Sequence, residues 1–76
     1  MIAPLGTSRA KIQIRFENVN VARCVCYIAA QCPPLVARVD GHAVQIEGPA
    51  GAVDIFVKIH EDVAKQAGLD APVERL

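Results

Sequence analysis

Three cysteines and two histidines are the chain's candidates for metal or nucleophile chemistry. Cys24 and Cys26 lie two residues apart in a helical stretch. That spacing sets them about 200° apart around the axis, so they face away from each other. One ion could take both only if the helix broke. Cys32 is nearly in line with Val25 and about 12 Å along the axis from Cys24, too far for a shared metal. An odd cysteine count also argues against a closed disulfide framework. Three reduced, buried or half-buried thiols are the simpler reading. His42 stands beside a turn and His60 on an apolar helical stripe. No nucleophile–histidine–acid set follows from their spacing. The expectation is a chain without catalytic residues, metal or cofactor.

The elements that would carry any site are readable from periodicity. Residues 1–8, with Pro4 and Gly6, read as a loose lead-in. From Arg9 to Glu17 the pattern alternates. Ala10, Ile12, Ile14 and Phe16 point one way; Arg9, Lys11, Gln13 and Arg15 point the other, as on a half-buried strand. Asn18 or Asn20 can cap a helix. Val21, Ala22, Val25, Ile28, Ala29 and Cys32 then form one helical stripe, and Pro33-Pro34 ends it. Leu35–Val39 and His42–Glu47 read as a hairpin across Asp40-Gly41. That turn pairs Val39 with His42, Ala37 with Val44 and Leu35 with Ile46. Pro49 opens a second helix running to about Ala67, with Gly68 as its left-handed stop. Opposite charges four apart, such as Asp54/Lys58 and Glu61/Lys65, mark its wet side. Residues 69–76, which include Pro72, read as a frayed tail.

The predicted fold is α+β in the order β-α-β-β-α, one domain over residues 1–76. Right-handed crossover places the hairpin's second strand between the other two. The sheet is then three-stranded and antiparallel-dominated, order 1-3-2, with both helices on one face. The first and second strands are its edges.

Such a small layer has too little interior for this composition. Hydrophobic residues make up 53% of the 76-residue chain, against an ordinary apolar share of about 45–50%. A chain of this size buries only roughly 60% of its unfolded surface. The second helix carries two apolar stripes: Ala52, Ile55 or Phe56, Ile59, Val63 and Ala67, and beside it Val53, Val57, His60 and Ala64. A contiguous exposed apolar patch marks a contact site. The expected partner or dimer interface is Val53, Val57, His60 and Ala64 of the second helix, with Arg23 and Tyr27 of the first.

Charge is distributed unevenly. Residues 1–38 hold five basic groups against one acidic, a net +4; residues 39–76 hold three against seven, a net −4. A bipolar molecule can orient on a complementary surface, including its own copy. Arg9, Lys11, Arg15 and Arg38 fall on the sheet face opposite the helices and offer an alternative, RNA-binding role. None of the three aromatic residues joins them to stack bases. Gly48-Pro49-Ala50-Gly51 is similar to the G-x-x-G loop with which KH domains clamp nucleotides. Here it joins a strand to a helix and contains no basic residue. Met1 to Ala10 lack the pattern of a signal peptide. No stretch approaches the roughly 20 apolar residues of a membrane span. The expected location is cytoplasmic.

Two families share this layout. Acylphosphatases resemble it in element order, which gives a second alternative, a small enzyme. Their phosphate loop is glycine-rich, with an arginine before the first helix, whereas Phe16-Glu17-Asn18-Val19-Asn20 has no glycine. Over residues 9–68 the chain more closely resembles the small Pcc-type subunit of the KEOPS complex, related to the CTAG/LAGE antigens. The matching residues are Ile12-Gln13-Ile14-Arg15-Phe16, Ala22, Asp40-Gly41, Val44-Gln45-Ile46 and the helix Ala52–Ala67. It departs from that family at Asp54–Lys58, where an Arg and an Asn-containing stretch are usual, and in its short hairpin. The resemblance implies a non-catalytic homodimer that docks its helices on the ATP-dependent threonylcarbamoyl-transferase subunit. tRNA would then be met through the complex.

Overall fold

A computed structural model describes residues 8–76; the expected lead-in, residues 1–8, lies outside them except for Ser8. The elements are β1 (Arg9–Arg15), α1 (Val19–Ala30), β2 (Val36–Asp40), β3 (Ala43–Pro49), α2 (Ala50–Ala67) and β4 (Val73–Arg75). All strand pairs are antiparallel, and the sheet order is β2-β3-β1-β4. This is the connectivity of the split β-α-β, or ferredoxin-like, arrangement.

The α+β class and the place of β3 between β1 and β2 agree with the sequence. The number of strands does not. Residues 69–76 are not a frayed tail: Val73–Arg75 pair with Ile12–Ile14 and cover the edge of β1. Three residues are too few to show a period of two, and Pro72 obscures the stretch further. Several bonds fix it. Gly68 takes φ +66°, which reverses the chain after α2. The Leu69 N–H then donates to the Ala64 carbonyl at 2.8 Å, and the Leu76 N–H donates to the Lys11 carbonyl at 2.9 Å.

The hairpin is also displaced. Asp40 pairs with Ala43, Val39 with Val44 and Ala37 with Ile46, so the two turn residues are Gly41 and His42. Only Gly41 has positive φ, +60°. That is the demand of a type II′ turn, with glycine first, rather than of an Asp-Gly type I′ turn. Moving each partner by two residues preserves every side chain's face, so the inside–outside assignment survives. The His42 ring gains a role from the shift. Its Nδ1–H donates to the Phe16 carbonyl at 3.1 Å, while the Phe16 N–H donates to the His42 carbonyl at 2.8 Å.

Helix α1 starts where its cap predicts: the Asn18 side chain accepts from the Asn20 N–H at 2.8 Å. Helix α2 has no side-chain cap, but the Ala50 N–H donates to the Ser8 carbonyl at 2.9 Å. The core lies between sheet and helices. Ile12, Ile14, Phe16, Val44 and Ile46 rise from the strands; Ala22 and Ala29 of α1 and Val53 and Val57 of α2 close over them. Small side chains on the inner helix faces let both helices sit close to the sheet, which dense packing requires.

Candidate functional site

The apolar surplus resolves into an inner and an outer stripe of α2, in the reverse of the expected order. Val53, Val57, His60 and Ala64 are buried against the sheet. They are not available to a partner as the protomer stands. The outer stripe is Ile55, Ile59 and Val63, which are 65%, 57% and 56% exposed. Arg23 and Tyr27 of α1 are exposed as expected, and Ile28 joins them. The physical reason for the reversal is His60. Its Nε2–H donates to the buried Ala71 carbonyl at 2.8 Å, and its ring meets Phe16 edge-on at 5.8 Å between centroids. A polar group thus satisfied belongs to the interior, and it fixes the segment that leads into β4.

A shallow apolar groove of about 200 Å³ adjoins the outer stripe. Cys32, Pro33 and Leu35 form one wall; Ala52, Ile55, Phe56 and Ile59 form the other. Helix α1 lies over β2 and β3 and α2 over β3 and β1, each packing mainly on the sheet. The groove lies between α2 and the segment that joins α1 to β2. Ile55, Ile59 and Val63, which sequence reasoning does not single out as an interface, carry a signal in the sequence: they recur every four residues and are more apolar than the stripe of Val53, Val57, His60 and Ala64.

The opposite sheet face carries Arg9, Lys11, Arg15 and Arg38, all exposed. The register places Glu47 opposite Lys11 and Glu74 opposite Gln13, and Asp40 lies one strand beyond Arg15 across Ala43. Four cations thus share the face with three carboxylates. Gln45 donates to Gln13 at 3.2 Å in its centre. Such a mixed face concentrates little positive potential for a phosphate backbone.

At the end of the sheet, Arg15, Glu17, His42 and Asp70 border a shallow hollow with Phe16 and Pro72. It contains no serine, threonine or cysteine. The Asn20 N–H, where an acylphosphatase-like loop would cradle phosphate, is taken by the Asn18 side chain. Cys24 and Cys32 are exposed and Cys26 half-buried. The Cys32 thiol donates to the Ile28 carbonyl. Among the described residues no three His, Cys, Asp or Glu side chains are grouped to hold a metal ion. Nor is any helix there long and apolar enough to cross a membrane. Comparison with known protein families, with curated proteins and with solved structures gives no match to this chain.

Proposed function

We propose that this protein is a non-catalytic, dimerising scaffold subunit that offers its helical surface to a larger protein. The observation that carries the reading is the exposed stripe Ile55–Ile59–Val63, continuous with the apolar groove between α2 and the α1–β2 connection. Apolar side chains of this size on one helix face gain by leaving water, and an adjoining groove gives an incoming side chain a seat. Both histidines are bonded to backbone carbonyls of their own chain, which suits a structural role.

The Pcc-type resemblance gives the partner its most specific form: the ATP-dependent threonylcarbamoyl-transferase subunit of a tRNA-modifying assembly. Titrating that purified subunit, from the same organism, into this protein tests the reading. A defined complex is expected with the wild-type chain, and Ile59→Asp weakens it at least tenfold with an unchanged circular dichroism spectrum. No complex with the wild-type chain removes this partner. Equal binding by Ile59→Asp removes the helical surface as the docking site.

A further inference from the structure

The sheet has two edges, and they differ. The β4 edge is three residues long and follows Pro72. Short strands and prolines are ordinary protection against stray pairing. The β2 edge is five residues long, without proline, and exposes Val36 and Val39. Across a two-residue turn the closing pair, Asp40 and Ala43, is a hydrogen-bonded pair. Val36, Arg38 and Asp40 therefore direct their backbone groups to β3. Ala37 and Val39 direct theirs to the open side, where the described residues supply no strand.

From this edge we infer that β2 pairs antiparallel with β2 of a second copy, about a two-fold axis through Val39. The choice of occupant rests on charge. In that register Val39 faces Val39 of the second copy, and Arg38 faces its Asp40, twice by symmetry. Residues opposite each other in a non-hydrogen-bonded pair have Cα atoms about 4.5 Å apart, close enough for the charges to meet. Among the described residues neither Arg38 nor Asp40 has an ion-pair partner in its own chain. A slip of one residue on each strand sets Arg38 against Arg38, and like charges oppose that register. The edge is thus self-complementary in one alignment, as an isologous contact must be.

The product is a continuous eight-stranded sheet with four helices on one face. It displays two copies of the Ile55–Ile59–Val63 stripe toward the same side. The inference deepens the scaffold reading, on which it rests for the expectation of a second copy. It assigns self-association to β2 and leaves the helices to the larger partner.

Charge exchange tests it, read as mass by light scattering, with folding checked by circular dichroism. The wild-type chain of 8.1 kDa is expected at about twice that mass. Arg38→Asp places four carboxylates together, and Asp40→Arg places four cations together. Each variant alone is expected as a folded monomer. Mixed in equal amounts, the two are complementary and return to the mass of a dimer. Ile59→Asp stays dimeric. A wild-type monomer at high micromolar concentration overturns both the dimer and this edge, while the partner titration still judges the docking face. A wild-type dimer whose single charge variants remain dimeric, or whose monomeric variants do not recombine, overturns the edge and leaves the dimeric scaffold standing.

Discussion

The inner and outer faces of α2 are both apolar and opposite in fate, and the more hydrophobic of the two is the one left in water. Inward lie Val53, Val57, His60 and Ala64; outward lie Ile55, Ile59 and Val63. The larger aliphatic groups are on the outside. Greasiness alone therefore does not decide which stripe meets the sheet. Two other terms decide it. Small side chains allow close approach over Ile12, Ile14 and Phe16, and His60 finds the Ala71 carbonyl and the Phe16 ring only when turned inward. The outer isoleucines have no comparable fit to gain inside and stay exposed.

The sharpest way to break the comparison is to place the same charge on either face. Val57→Asp buries a carboxylate among the core residues, where it has no partner. A loss of about 3–5 kcal/mol is expected, the cost typical of an uncompensated buried charge. A domain of this length has roughly 4–11 kcal/mol in total. Urea denaturation should show a midpoint shifted far to low concentration, or no folded baseline at all. A loss under about 1 kcal/mol would mean that Val57 does not face the sheet.

His60→Leu is the next largest change. Leucine keeps the volume but cannot donate, so the buried Ala71 carbonyl is left unpaired. The expected cost is about 1–3 kcal/mol. It should be local as well as global. Hydrogen exchange at the Leu76 amide, which holds the tail to Lys11, should accelerate more than exchange in β3. Uniform acceleration would show that His60 stabilises the core without positioning the tail.

These two residues also show what the sequence reveals and what it hides. The alternation of Ala10, Ile12, Ile14 and Phe16, the Asn18 cap and the Gly68 stop are local signals, and each element they mark is present. The rotation of α2 about its axis is not local. It depends on where Ala71 comes to lie, eleven residues beyond His60. β4 was hidden for the same reason: Val73-Glu74-Arg75 becomes a strand only because β1 offers an edge. The turn at Gly41-His42 depended on which glycine position the ladder selected, which Asp40-Gly41 does not disclose. Candidate surfaces inherit these dependences. The cationic face was legible because alternation fixes faces, whereas its interleaved carboxylates required the strand register.

Arg75→Ala examines the seam between the faces. Arg75 meets Asp54 at 3.0 Å, joining β4 to the first half of α2, with both side chains about 60% exposed. Ion pairs in water contribute at most about 1 kcal/mol, and salt screens them. A loss of a few tenths of a kcal/mol is expected, vanishing in 1 M sodium chloride when measured by thermal unfolding. A loss that persists in salt would assign Arg75 a packing role along α2.

Ile59→Asp should give the smallest change in stability and for that reason sharpens the contrast most. Ile59 is 57% exposed, so its replacement removes little buried area and places the carboxylate in water. Unfolding free energy should stay within about 0.5 kcal/mol of wild type. The same substitution two positions earlier in the helix, at Val57, is expected to cost several times more. Two residues correspond to about 200° of rotation, so the pair reads out the orientation of α2 directly. If Ile59→Asp is neutral in the isolated protein yet abolishes docking, the stripe is held for a partner. If it destabilises the isolated chain as Val57→Asp does, the outer face is already covered in solution, by a second copy or by residues of the same chain.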